Sequence, residues 1–322
     1  TWVNQLAIQN PAPYTFAGNL HSDANRRANA LTAGLPSNLF WANPDKRGGA
    51  YDMTNWGGSN YNAVTVELRR RFYQGLLINT NYTFGKAMQY IWVSLRNMEG
   101  ERGGSPYNIA HAWKTNWIYE LPLGRGRRWL DNSGGLVDRL LGGWAIHGAG
   151  RVQSGSPFNL GNVRLIGMTR AELQSMVGVR KEANFVYFLP QDIIDNTIRG
   201  NNFSATSSTG YSAQGAPSGR YIASANSSAC IEIYSGNCGG VRHMLTGPMF
   251  TRFDISAVKK IRVTERFNVE LRGEFLNAFN NINFMVGSPA NDTNSATNFS
   301  SADFGKITAA YQDTSTTNDP GG

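Results

Sequence analysis

Glu270 and Glu274 flank Arg272 at every second position of FNVELRGEF, residues 267–275. Two carboxylates on one strand face could serve acid–base chemistry, one donating a proton and the other accepting it. The arginine between them favours another role, an alternating-charge ladder on a wall that faces water. Four histidines, His21, His111, His147 and His243, lie far apart and share no ligand spacing. Cys230 and Cys238 stand in a Ser/Gly-rich segment, and two thiols alone do not make a metal site. They read as a small loop disulfide in an oxidising compartment, the preferred assignment, or as two free thiols. No GxSxG, HExxH or P-loop pattern occurs, and Gly124-Arg125-Gly126 lies in a turn rather than at a strand–helix junction. The chain is therefore not expected to be an enzyme, and no catalytic residue, metal or cofactor is assigned.

The elements that carry these residues alternate with period two. Side chains on a strand point to opposite faces in turn. Six segments follow this rule: 61–72, 76–84, 112–121, 144–153, 250–261 and 267–275. In the first, Val64, Val66, Leu68 and Phe72 oppose Thr65, Glu67, Arg69 and Arg71. In the second, Leu76, Ile78, Thr80, Tyr82 and Phe84 oppose Asn79, Asn81 and Thr83. Trp113, Thr115, Trp117, Tyr119 and Leu121 oppose Lys114, Asn116, Ile118 and Glu120; Trp144, Ile146 and Val152 oppose His147, Arg151 and Gln153. Phe253, Ile255 and Ala257 oppose Asp254 and Ser256, and Phe267, Val269, Leu271 and Phe275 oppose Asn268, Glu270, Arg272 and Glu274. One face is apolar and aromatic and the other is polar and charged. A soluble β-sandwich and a transmembrane barrel both produce that pattern.

The connections separate the two. A tight turn at 73–75 and a VTER turn at 263–266 join strands on one rim, together with the 122–143 connection. The other rim carries 85–111, the very long stretch 154–249 and the tail after 275. Outer-membrane barrels sort short periplasmic turns from long external loops in this way, and a sandwich has no reason to. Charge agrees. Arg69, Arg70, Arg71, Arg125, Arg127, Arg128, Arg139, Lys259, Lys260, Arg262 and Arg266 fall on or beside the short-turn rim, where long basic side chains can reach lipid phosphates. Trp113, Trp117, Trp129, Trp144, Tyr82 and Phe84 could supply aromatic girdles. Only 16% of residues are charged, below the usual quarter, and 11% are aromatic. The net charge of +8 raises nucleic acid as a partner, but the basic residues form no arm or helical stripe, so none is expected. No apolar run is long enough for a transmembrane helix, which leaves strands that span with about 9–11 residues. Inside the long stretch, 168–178 (MTRAELQSMVG) predicts a short helix capped by Thr169 with Glu172 three residues on. A short strand is also predicted at 38–42.

SNYNAVTVELRRRFYQGLLINTNYTFGKAM, WIYELPLGRGRRWL, GGWAIHGAGRVQSGSPFNL and FTRFDISAVKKIRVTERFNVELRGEFLNAFNNINF together resemble the C-terminal barrel of TonB-dependent outer-membrane receptors, nearest to the large Oar-like kind. The resemblance spans roughly residues 35–306. It implies a barrel of about 22 strands, a plug domain of the same parent chain, energy from a TonB complex, and an unidentified ligand. The expected fold is all-β: an antiparallel up-and-down transmembrane β-barrel in the outer membrane of a Gram-negative-type bacterium, with long extracellular loops. Residues 1–60 form an extracellular loop region, and 61–322 the C-terminal part of the barrel, with the extracellular loop 154–249. Six strands do not close such a barrel and open edges are not tolerated in lipid. The chain is thus expected to be a fragment of a longer one. It starts on Thr1 without a signal peptide and ends on Asp319-Pro320-Gly321-Gly322, where the family places a last strand with a terminal aromatic residue. The lumen-wall candidates are Glu67, Arg69, Arg71, Lys114, Asn116, Glu120, Arg151, Gln153, Asp254, Glu270, Arg272 and Glu274. Their role would be to contact the plug, and outer-membrane lipid would contact the opposite face. The alternatives are a passive porin-like or adhesin barrel, and a soluble secreted β-sandwich.

Overall fold

The computed structural model describes residues 57–311, apart from 95–96, 183, 203, 205, 225–240, 265, 287–296, 300, 302 and 308, together with Thr32 and Gly34. The strand predicted at 38–42 and the two cysteines lie outside the described residues. The main sheet contains β1 (Ser59–Tyr73), β2 (Leu76–Ser94), β3 (Asn97–Gly104), β4 (His111–Glu120), β5 (Trp144–Gln153), β11 (Phe250–Arg262) and β12 (Asn268–Phe275). Its order is β1-β2-β4-β5-β11-β12, with β3 paired to β2, and its ladders are antiparallel. The six predicted strands are therefore neighbours in the order in which the chain makes them. The sheet is open, with β1 and β12 at its edges.

Local chemistry explains the reversals. Gln74 and Gly75 have φ of 51° and 81°, both in the left-handed region, as a two-residue hairpin turn requires. In the β11–β12 turn, Thr264 Oγ1 accepts the backbone N–H groups of Arg266 (3.2 Å) and Phe267 (3.1 Å). On the apolar face, glycines make room for rings. A Cβ at Gly148 would lie 2.1 Å from the Trp117 ring, and one at Gly150 would lie 2.5 Å from Phe253. This face has no covering layer among the described residues. Val64 is 65% exposed, Val66 63% and Leu271 57%, which a sandwich would not leave in water.

Three expectations need correction. The stretch 85–111 is not simply a loop: β2 runs on to Ser94 and β3 folds back along it. The aromatic and β-branched run Tyr90-Ile91-Trp92-Val93 extends the strand. Second, Lys259 does not reach out from the rim. It is 4% exposed, its Nζ donates to the Gly142 carbonyl, and it lies 5.5 Å from the centre of the Trp144 ring.

Third, the described residues of 154–249 form a folded cap rather than a loop with one helical insert. β6 (Pro157–Ile166) is flanked by β9 (Tyr221–Ser224) and β10 (Val241–Thr246), and β7 (Arg180–Lys181) pairs with β8 (Val186–Tyr187). After α1 (Gly135–Leu141) on the short-turn rim, the helices are α2 (Arg170–Met176) and α3 (Gln191–Asn201). The predicted capping box is present: Thr169 Oγ1 accepts the Glu172 N–H at 3.2 Å, and Glu172 Oε2 accepts the Thr169 N–H at 2.7 Å. The Thr169 N–H, and after it the Thr169 hydroxyl donating to Oε2 at 2.9 Å, hold the Glu172 carboxyl below its ordinary value. Gln174 then completes the outer edge of β10, donating to the Thr246 carbonyl (3.0 Å) and accepting its N–H (2.7 Å). Phe158, Leu173, Phe188, Leu189, Ile193 and Ile222 are 2% exposed or less and form the cap core. The tail returns to complete it. Phe304 and Ile307 join the same cluster, Phe188 N–H donates to Gly305 O (2.9 Å), and Ile307 N–H donates to Val186 O (2.7 Å). The tail also pairs β13 (Phe284–Met285) with β14 (Ala309–Ala310).

Because the cap has its own core, it should be separable in stability from the sheet. Phe188→Ala should cost the cap about 3–5 kcal/mol. Hydrogen exchange should accelerate across β6 and α3 while the β4 and β5 amides stay protected.

Candidate lumen wall

Strand register builds the polar face row by row. Glu67 pairs with Asn81, Asn81 with Lys114, Lys114 with Arg151, and Arg151 with Arg252. The next row is Arg69, Asn79, Asn116, Ala149 and Asp254. Beyond it come Leu77, Ile118, His147, Ser256 and Glu274, then Glu120, Ala145, Val258 and Arg272, and finally Lys260 opposite Glu270. Gln153 stands between Ala112 and Phe250 at the cap end. Eleven of the twelve candidates thus share one continuous face in this register. Arg71, which lies at the irregular end of the β1–β2 ladder between Arg70 and Tyr73, is exposed and outside these rows.

The face is concave. A depression of about 430 Å³ is lined by Asn79, Asn81, Lys114, Asn116, Arg151, Phe250, Arg252 and Asp254 among others. A second, of about 440 Å³, adjoins it through Asn116, Ala149 and Asp254 and continues along Ile118, His147, Ser256 and Arg272. The trough is ordered by short ion pairs. Arg252 binds Asp254 at two points, Nε to Oδ1 and Nη2 to Oδ2, both at 3.0 Å. Asp254 Oδ1 also accepts the Asn277 N–H at 2.8 Å. Arg272 bridges Glu270 (3.0 Å) and Glu274 (3.5 Å), the ladder expected from the sequence. Arg69 meets Glu67 at 3.0 Å, and Arg127 meets Glu120 at 2.9 Å. Arg151 Nε donates to Gln153 Oε1 at 2.6 Å. Asn79 Oδ1 and Gln153 Nε2 are buried without a hydrogen-bond partner.

The sequence reading left out Arg252, and with it the main electrostatic feature. Lys114, Arg151 and Arg252 are successive cross-strand neighbours, three cations in one row, with Asp254 in the next row and Glu67, paired with Arg69, at the row's far end. Like charges directly opposite one another are unfavourable. The signal was available in FTRFD, where Arg252 has the same parity as Asp254. Among the described residues no group of three or more His, Cys, Asp or Glu could hold a metal ion.

The chain matches the family described as outer membrane beta barrel domain over residues 1–316. It belongs to that family. The protein is accordingly an outer-membrane barrel protein, and its mostly antiparallel sheets agree with an all-β fold. No curated protein and no solved structure matches the chain. An outer-membrane barrel alternates apolar lipid-facing with polar lumen-facing residues, and this sheet has one apolar and one polar face.

The pairs on this face differ in what they are worth. The Arg252 and Asp254 side chains are only 16% and 30% exposed, whereas Arg69 and Glu67 are 68% and 49% exposed. Arg252→Ala should cost about 1.5–3 kcal/mol by leaving a half-buried carboxylate short of its donors. Arg69→Ala should cost less than about 1 kcal/mol. Urea midpoints of the folded barrel in detergent would measure both.

Proposed function

We propose that this barrel is the wall of a TonB-dependent uptake receptor, without catalytic activity or a cofactor, and that its polar trough holds a plug carried on the same parent chain. The observation that carries the reading is the cationic row Lys114, Arg151 and Arg252 set into a concave, charged wall. A wall that met only water would gain nothing from aligning like charges, since each lowers the stability of its neighbour. An acidic surface filling the barrel offsets that cost. Glu67, Arg69, Lys114, Asn116, Arg151 and Asp254 would hold the plug through hydrogen bonds and ion pairs. Glu120, Glu270, Arg272 and Glu274 would continue that contact toward the periplasm, and Gln153 would lie at the external end. Arg71 would stand at the periplasmic rim. The folded cap supports capture of a ligand outside the membrane, because it gives the external side a fixed surface rather than loose loops. The strand and turn signatures add the energy source, an inner-membrane TonB complex.

A passive porin-like barrel is the competing design, and conductance separates the two. The full protein in a planar lipid bilayer should pass almost no current until a mild denaturant unfolds the plug. The opened barrel should then prefer anions, and Arg151→Glu with Arg252→Glu should shift the preference toward cations. Steady current from the untreated protein would overturn the plugged-receptor reading.

A further inference from the structure

The β4–β5 connection carries a helix whose apolar side chains none of the described residues covers. α1 has no buried residue, and Leu136, Val137, Leu140 and Leu141 are 75%, 41%, 63% and 47% exposed. Their i, i+1, i+4, i+5 spacing collects them on one continuous arc of the helix. Asp138 and Arg139 occupy the rest of the circumference. Asp138 is turned toward the protein, where its Oδ1 accepts the Arg125 N–H at 2.6 Å. Seven residues are too few for a helix to persist in water on its own propensity. This one is held by its attachments and needs a medium for its leucines.

The attachments say where it lies. Trp144 Nε1 donates to the Leu140 carbonyl at 3.0 Å, and Lys259 Nζ donates to the carbonyl of Gly142, the C-cap. Trp144 and Lys259 are cross-strand partners on the apolar face of the sheet. The helix is therefore pinned to the lower edge of the side that an outer-membrane barrel turns to lipid. Trp129 and Leu130, 56% and 43% exposed, belong to the same connection, and Phe267, 70% exposed, ends the neighbouring turn. The surrounding charge is net cationic: Arg125, Arg128 and Arg139 are exposed, Arg127 is shared with Glu120, and the connection's two carboxylates, Asp131 and Asp138, accept the backbone N–H groups of Gly126 and Arg125.

The geometry points to α1 as an interfacial foot, lying flat in the periplasmic leaflet with Leu136, Val137, Leu140 and Leu141 among the acyl chains and the arginines on lipid phosphates. Two observations choose the bilayer over a protein partner. The helix is attached through Trp144 and Lys259 to the edge of the sheet's apolar face, and the flanking arginines complement phosphates. Amphipathic helices with apolar residues on one side and arginines on the other bind at this depth. The inference depends on the outer-membrane location and not on TonB dependence, so either can fail alone.

The test uses the full protein in proteoliposomes of phosphatidylethanolamine and phosphatidylglycerol, with Cys230 and Cys238 replaced by serine. A nitroxide is attached at Leu136→Cys or Leu140→Cys, with Asn132→Cys as the reference and Val137→Cys and Leu141→Cys as a second pair. Heat-modifiable migration on gels certifies that each variant forms its barrel. Relative to a water-soluble nickel chelate, oxygen should collide with labels at 136 and 140 severalfold more than at 132. Equal access of the chelate to all three sites would put the helix in water and overturn the inference. Protection from both reagents would mean that protein covers the arc, which overturns it as well.

Discussion

Backbone hydrogen bonding is the constraint from which the rest of this protein follows. In lipid an unpaired N–H or C=O costs several kcal/mol, so a chain that spans as strands must satisfy each strand from its neighbours. The antiparallel meander β1-β2-β4-β5-β11-β12 does so for β2, β4, β5 and β11, with connections that alternate between the two rims, and leaves β1 and β12 as its two edges. Once the strands are paired, period two has no freedom left. Trp117 and Asn116 must point to opposite sides, and a slip of one residue would exchange the lipid face for the polar one. Register is thus what turns a scattered set of charges into a wall.

The two halves of the molecule answer the hydrophobic effect differently. Among the described residues, nothing covers the apolar face of the sheet, as on a surface with lipid for solvent. The cap buries Phe158, Leu173, Phe188 and Ile193 as a water-soluble domain does, because lipid is not available beyond the membrane. The polar trough and the cap meet where Phe250 packs edge-on against Tyr311, with ring centres 5.2 Å apart. The cap is therefore built directly onto the polar wall. At the opposite rim, Trp144 and Lys259 tie the sheet to α1 and finish the lipid-facing side with a helix instead of a bare turn.

Much of this was legible in the sequence, and the limits have physical causes. The six wall strands were readable because one buried or lipid-covered face imposes strict alternation over 9 or more residues, as in FNVELRGEF. α2 was readable because a capping box is a local signal, Thr169 and Glu172 three positions apart. The cap was not, because its core is assembled from distant pieces: Phe158, Phe188, Ile222 and Phe304 lie in four short segments, none with a long period of its own. β3 was hidden by its glycines, in NMEGERGG, which carry no alternation. Lys259 misled because charge suggests the surface, while the Trp144 ring and the Gly142 carbonyl give it partners in the interior. Arg252 was passed over although its parity with Asp254 placed it on the wall.

The central claim is that the apolar face of this sheet meets lipid, and a charge placed on it tests that most directly. Leu271 is already 57% exposed, so in a water-soluble sheet Leu271→Arg would cost next to nothing. In a membrane it should cost about 2–4 kcal/mol if the site lies near the midplane. The stability of the full protein folded into phospholipid vesicles decides between these, with Ser256→Arg on the polar face as the reference. The account predicts a large loss for Leu271→Arg and a small one for Ser256→Arg. Equal and small losses would contradict it, and would return the sheet to water.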